Sequence, residues 1–398
     1  MNDRNERDYY CSMKFRYLKI DLESQNTYTC HAAKPYRINF DWLEKNKGNI
    51  FNHDINVSER QMMLNNQRAP SCEQNCWHAE DQGMQSPRLF QEGFHRTHDQ
   101  IITSPEIIDF TVGADCNLTC TYCCKEYSSA WRNDIQKNGE YQLPYSNDNR
   151  YKLTSEDRLL IKIKQSNLVN TSRYQLLVDE IKLNAGSLKR VDVTGGEPFL
   201  NNYFIDALSK LDIPDNVPID IFTGLGVSYS RFNHMLDKIS NKKNILLSIS
   251  AEGIEEHLEF NRYGVKWQQF LNNLQSIRDR NINFKFHSTV TNLTVFGFFD
   301  FCNYFKNDKI VTTYAYQPKM MAVNIVDDNS KLMLIDQFNN WADSEKSILI
   351  KNINTPSDEK QRINLSNFLT EFVNRRPDLS LNIYPKSFLN WLGIKNVV

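Results

Sequence analysis

The sequence predicts an α/β fold: six parallel strands with intervening helices closing into an open, partial (β/α)6 barrel, preceded by a small α+β region and followed by a helical tail. Three observations predict it. From about 105 to 320, short β-rich runs alternate with longer amphipathic ones, the pattern of parallel crossover units. Before residue 100, two β-rich stretches flank a turn; after about 325 the chain reads as mainly helical. These place a first domain at 1–100, a core at 105–325 and a C-terminal extension at 326–398.

Taken in order, MKFRYLKIDLE and NTYTCHAAKPYRINF flank the turn-like SQN at 24–26 and predict a β-hairpin. INVSERQMMLNNQR (55–68) predicts a helix with Ser58 as its N-cap. IIDFTV, RVDVT, IDIFTG, ILLSIS, FKFHSTV and IVTTYAY read as the six core strands. Helices are expected at 155–185, 202–211, 229–240, 265–279 and 295–306, mostly opened by Ser, Asn or Thr. A closed eight-unit barrel would need two further units. The polar segment 125–150 is long for a βα loop and suggests a lid or a substrate-facing insert.

Composition narrows the function classes. The 398 residues suffice for two domains or one with an appendage, and 47 basic residues nearly balance 48 acidic ones. Charge therefore gives no reason to expect nucleic acid or an anionic membrane as partner. The N-terminal stretch lacks a signal-peptide pattern and no run approaches 18 apolar residues, so a soluble, cytoplasmic protein is expected. Nine cysteines are too sparse for a disulfide scaffold, and clustered cysteines in a reducing compartment point to metal or redox chemistry.

Four of the nine fall within DFTVGADCNLTCTYCCKEY (109–127). Cys116, Cys120 and Cys123 form Cys-x3-Cys-x2-Cys, and Cys124 follows at once. Structural zinc prefers four closed ligands in two separated pairs, whereas three thiolates on one loop suit a [4Fe-4S] cluster with one iron left open for a small molecule. Cys124, beside Cys123, reads as a small buried hydrophobe, as does Cys302. One βα unit later, RVDVTGGEPFL ends a strand in Gly195-Gly196-Glu197-Pro198, where two glycines permit close backbone approach and a carboxylate can receive an ammonium group.

In these motifs the sequence resembles the radical SAM superfamily, and the likeness extends to the order of strands and helices over about 105–320. The resemblance implies that S-adenosylmethionine (AdoMet) binds the open iron of a core [4Fe-4S] cluster through its amino and carboxylate groups. It also implies that Gly195, Gly196 and Glu197 hold its amino group, and that Tyr122 lies beside its adenine. Ser248 and Ser250 in LLSISAEG would approach the ribose and the methionine carboxylate, Arg262 in FNRYG would assist there, and Asn292 is a further candidate. The implied activity is reductive cleavage of AdoMet to a 5′-deoxyadenosyl radical that abstracts hydrogen from a substrate, with a cellular reductant such as flavodoxin or ferredoxin as electron donor.

Cys11 and Cys30 bracket the predicted hairpin, and Cys72 and Cys76 lie in SCEQNCW downstream. Together they can close around one metal centre, and spacing alone leaves zinc and a second iron-sulfur cluster both open. Beside the core, this region is similar to the twitch domain of radical SAM enzymes, a shortened SPASM auxiliary-cluster domain, in the subfamily that carries it before the core. The likeness runs through Trp77, Glu80, Gly83, Ser86 and Arg88, and to Ser128, Ser129 and Trp131 after the core cysteines. It implies an auxiliary cluster as electron relay or brace, and a peptide or small-metabolite substrate for an oxidoreductase or transferase. One departure is Gln25, where a hairpin glycine is common. The competing classes are an iron-sulfur electron-transfer or binding protein without radical chemistry, and a zinc-stabilised interaction protein.

Overall fold

The computed structural model describes residues 9–46, 48–81, 86–90, 101–146, 148–155, 171–315, 317–341 and 346–394. The fold is α/β with a mostly parallel sheet. Its strands are β1 (Tyr17–Asp21), β2 (Asn26–Tyr28), β3 (Tyr36–Arg37), β4 (Ile107–Thr111), β5 (Thr119–Cys120), β6 (Arg190–Thr194), β7 (Ile219–Thr223), β8 (Ile245–Ile249), β9 (Arg262–Tyr263), β10 (Asn283–Val290) and β11 (Ile310–Tyr314). All six expected core strands are present as β4, β6, β7, β8, β10 and β11. Four of the expected helices lie at Asn202–Lys210, Tyr229–Asp237, Trp267–Asp279 and Val295–Tyr304. The fifth is helical at Thr171–Asn184, and residues 156–170 of its expected span lie outside the described residues. Among the described residues, no helix is long and apolar enough to cross a membrane.

The chain divides into two compact units: residues 1–113, 168–221 and 241–245, and residues 114–167, 222–240 and 246–398. In the first, strands run in the order β3-β2-β1-β4-β6-β7. The expected hairpin is there as β1 and β2, antiparallel with Asp21 opposite Asn26. The other edge of β1 pairs in parallel with β4, Tyr17 opposite Ile107, so the N-terminal hairpin extends the core sheet. One face of β4, β6 and β7 carries Ile108, Phe110, Val191, Val193, Ile219 and Ile221, all fully buried. Phe110 meets Phe204 of helix Asn202–Lys210, so this is the helix-covered face. Alternation then turns Asp109, Asp192 and Asp220 to the other face.

Two local expectations change. The stretch 13–16 is helical, Ser12–Arg16, because Tyr10 stacks on Phe15 and the turn closes with the Lys14 amide donating to the Cys11 carbonyl. Ser58 lies inside helix Asp54–Leu64, whose cap is His53. At the hairpin turn Gln25 adopts a left-handed φ of 55°. The Asp21 carboxylate holds the turn by accepting the amides of Glu23 and Ser24, both at 3.0 Å. A side chain in this conformation costs about 1 kcal/mol or more. Gln25→Gly is therefore expected to stabilise the chain by roughly 0.5–1 kcal/mol after its unfolded-state entropy is counted, read as a raised thermal midpoint; a lowered midpoint would mean that the Gln25–Arg37 contact outweighs the strain.

The second unit holds parallel β8-β10-β11 and the antiparallel ribbon β5/β9. The insert expected as a lid or a substrate-facing segment is anchored by aromatic packing. Its helix Ser129–Asn138 and the loop after it bury Trp131, Tyr141 and Tyr151 against Phe368 and Phe372 of helix Glu359–Asn374. Aromatic area of this kind is worth more buried than exposed.

Candidate active site and auxiliary cysteine pocket

The loop after β4 brings Cys116, Cys120 and Cys123 together. Cys120 is buried, and the other two are half-buried. The Cys123 thiol is pushed well up, first by a hydrogen bond with Cys124, then by burial, then by neighbouring thiols that include Cys120 and Cys116. The Leu118 amide donates to the Cys116 sulfur at 3.5 Å, and Nη1 of Arg262 reaches the Cys120 sulfur at 3.8 Å.

The loop is laced to the helix that follows it. Ser128 caps that helix through the Trp131 amide and donates to the Leu118 carbonyl at 2.6 Å. Ser129 bonds the Cys116 carbonyl and amide at 3.0 and 3.1 Å, and the Trp131 indole donates to the Cys120 carbonyl at 3.0 Å. Cys124 is buried, as expected of a small apolar residue.

Tyr122 and Arg262 converge on a residue that sequence reading missed, Glu252. Arg262 meets its carboxylate through Nε at 2.9 Å and Nη2 at 2.6 Å, and the Tyr122 hydroxyl donates to it at 2.8 Å. The Thr289 amide donates to the same carboxylate at 3.1 Å. Burial opposes the charge on Arg262, and Glu252, Tyr122 and Cys120 together outweigh it. Glu252 stands two residues after Ser250 in the SISAEG segment, so its place after β8 was the available signal.

The Ser248 hydroxyl is fully buried and has no hydrogen-bond partner among the described residues. Ser250 ties its amide to the Thr223 carbonyl at 2.8 Å. The Asn292 amide nitrogen donates to the Met320 and Ile325 carbonyls at 2.8 and 3.3 Å, while its buried Oδ1 has no hydrogen-bond partner among the described residues.

In the first unit, the Gly195-Gly196-Glu197 turn presses on the end of β4. Gly195 has φ 113°, and a Cβ there would stand 2.8 Å from the Gly113 carbonyl oxygen, which accepts the Gly196 amide at 2.7 Å. Only glycine fits both the conformation and the space. Glu197 is buried and caps the next turn through the Phe199 amide. The structure thus places the turn and the cysteine loop each on its own unit.

Below that turn, Asp109, Asp192 and Asp220 lie in register across three neighbouring strands, all buried. Tyr17 and Thr194 hydroxyls each donate to Asp109 at 2.6 Å, and Arg190 pairs with Asp192 at 2.8 Å. The row was legible only as an Asp recurring in IIDFT, RVDVT and IDIFT. Burial pushes the Asp192 carboxyl up to about 6, against the pull of Arg190. An acid raised in the folded state holds its proton more tightly there, so stability is gained as pH falls from about 6 toward 4 and lost as pH rises through 6. Asp192→Asn is therefore expected to stabilise the chain by roughly 2 kcal/mol at pH 7.5, with the difference vanishing below about pH 4 in a series of thermal melts. A variant less stable than wild type at pH 7.5 would show that the Arg190 pair dominates.

Cys11, Cys30, Cys72 and Cys76 line one pocket with Lys14 and Arg88. The helical turn Ser12–Arg16 turns Cys11 and Lys14 to the same side. Cys30 sits in a turn after β2, its sulfur accepting the Ala32 amide at 3.5 Å, so the hairpin delivers it to the pocket without a glycine at 25. Burial pushes Cys11 and Cys72 up to about 12, and neighbouring thiols add to it. Lys14, fully buried, bonds Glu59, Thr29 and Ser71, and its charge pulls Cys30 and Cys72 down. Arg88 pairs with Glu80 at 2.6 Å, Ser86 bonds Glu80, and the Trp77 indole donates to the Ala69 carbonyl. Gly83 lies outside the described residues.

Among the described residues no three His, Cys, Asp or Glu side chains converge at single-ion geometry. All nine cysteines are free thiols, so both sets are chemically available as cluster ligands. The donor sets, the amide and guanidinium donors at sulfur and the orphaned Ser248 hydroxyl fit a core cluster with AdoMet. The four-thiol pocket has a donor set that suits zinc and an iron-sulfur cluster alike.

Residues 110–300 match the family model described as the Radical SAM superfamily. Among solved structures it is similar to anSMEcpe with bound AdoMet, at 16% identity and TM-score 0.35 over 59% of each chain. A structure of the same protein with AdoMet and the Cp18Cys peptide matches at 15% identity and TM-score 0.36, covering 62% of this chain and 61% of that one. Streptococcus suis SuiB bound to the precursor peptide SuiA matches at 13% identity and TM-score 0.30, covering 81% of this chain and 64% of that one. The chain thus spans about three-fifths of the length of these proteins. No curated protein matches.

Proposed function

We propose that the protein is a radical SAM enzyme: Cys116, Cys120 and Cys123 hold a [4Fe-4S] cluster with one open iron, and Cys11, Cys30, Cys72 and Cys76 hold an auxiliary iron-sulfur cluster. The observation that carries this reading is the three-thiol loop, fixed by Ser128, Ser129 and Trp131, within the segment that matches the radical SAM family. When bound, the core cluster supplies one electron to the sulfonium of AdoMet, whose C–S bond breaks to give methionine and a 5′-deoxyadenosyl radical.

The chain's own residues do the rest. Gly195, Gly196 and Glu197 present a close-approach turn and a buried carboxylate for the amino group of AdoMet. Ser248 and Ser250 offer hydroxyls for its ribose and carboxylate, Tyr122 borders the adenine, and Arg262 assists while held by Glu252. The domain assignment proposed with it is 1–100 as twitch-like auxiliary domain, 105–325 as core and 326–398 as extension. The substrate is a peptide or small metabolite, the electron donor a cytoplasmic flavodoxin or ferredoxin, and the auxiliary centre a relay or brace, since four thiols leave it no open iron.

The test is anaerobic reconstitution followed by an assay for reductant-dependent 5′-deoxyadenosine. About eight irons per chain and cleavage on reduction are expected. A well-loaded protein that binds AdoMet without cleaving it would instead mark an iron-sulfur binding protein.

A further inference from the structure

Strand β5 consists of Thr119 and Cys120, and it pairs antiparallel with β9 so that Thr119 faces Tyr263 and Cys120 faces Arg262. This ribbon carries one core cysteine and the arginine that reaches its sulfur. Two-stranded ribbons of such length do not hold themselves in water. The support comes from the far end of the chain.

Arg376, just beyond helix Glu359–Asn374, is 3% exposed. Its Nη2 and Nε donate to the Thr119 hydroxyl at 2.9 and 3.2 Å, and Nη1 donates to the Phe372 carbonyl at 3.1 Å and the Tyr141 hydroxyl at 3.3 Å. Asp134 lies 3.4 Å from Nη2. The guanidinium lies against the Phe372, Tyr263 and Trp131 rings, with its carbon 3.8, 5.1 and 5.4 Å from their centroids. Two residues on, Asp378 accepts the Tyr263 hydroxyl at 2.9 Å. Both strands of the ribbon are therefore gripped by residues 376–378. An apolar side chain would fill this aromatic cage without the cost of desolvating a charge. What the guanidinium adds is direction: a rigid fork aimed at the one hydroxyl that precedes Cys120.

We propose that Arg376 is a positioning residue for the core cysteine loop, acting through Thr119 to fix the orientation of the Cys120 thiol, so that the C-terminal extension is a working part of the core site. The inference rests on the radical SAM reading for the cluster it serves, but the thiol's orientation is testable without it.

The experiment uses the full chain carrying Thr119→Val, which removes the hydroxyl and little else, alongside Arg376→Met and Arg376→Lys. In the metal-free protein, alkylation of Cys120 by iodoacetamide is followed by peptide mass spectrometry. Both Thr119→Val and Arg376→Met are expected to speed it several-fold over wild type, and Arg376→Lys to restore part of the protection. In the reconstituted protein, the AdoMet-induced change in the electron paramagnetic resonance spectrum should become weaker and heterogeneous in the same two variants. Wild-type alkylation rates at Cys120 in both variants overturn the proposal, even if their melting temperatures fall. A wild type whose clusters ignore AdoMet overturns the radical SAM reading and leaves the alkylation result to decide Arg376.

Discussion

Replacing Cys116, Cys120 and Cys123 together by alanine is expected to lower bound iron from about eight to about four per chain and to abolish 5′-deoxyadenosine formation. The effect should be complete because AdoMet requires an iron with an open position, which only a centre held by three protein thiolates leaves. Replacing Cys124 alone should change neither quantity. It is buried next to Cys123, and three thiolates already hold a four-iron centre with the one open iron that AdoMet needs. The converse set, alanine at Cys11, Cys30, Cys72 and Cys76, should remove the other four irons. Unchanged iron in the core variant would mean that the cluster sits elsewhere and that the loop is a relic of its family pattern.

The cysteine sets and the six core strands were legible in the sequence because their signals are local. A thiol spacing or an alternation of apolar and polar residues is written within ten residues. The features that complete the site are not local. The turn-like SQN at 24–26 announces a hairpin, but the parallel pairing of β1 with β4 joins residues 90 positions apart, Tyr17 to Ile107, and no short window carries it. Glu252 lies ten residues from Arg262, and Arg376 lies 257 residues from Thr119. Each is an ordinary charged residue in sequence whose meaning is set by burial beside a particular partner. The anchoring of the insert 125–150 was illegible for a related reason: three of its aromatic contacts are made with a helix near residue 370.

Glu252→Ala is expected to destabilise the second unit by about 3–5 kcal/mol, because it leaves the Arg262 guanidinium buried without a counter-charge. Arg262 is 5% exposed and cannot turn to solvent without opening the β5/β9 ribbon that holds it. Denaturant unfolding of the anaerobic chain reads this directly. The double variant Glu252→Met/Arg262→Met separates stability from function, since an apolar pair of similar volume commonly holds a fold as well as the ion pair it replaces. It should recover most of the lost stability while AdoMet cleavage stays lost. The buried charges would then be kept for the cysteine beside them: Arg262 brings a donor to the Cys120 sulfur, and Glu252 fixes both that donor and Tyr122. A double variant that cleaves AdoMet at the wild-type rate would reduce the triad to a packing device, and one as unstable as Glu252→Ala would mean that these polar contacts themselves hold the unit together.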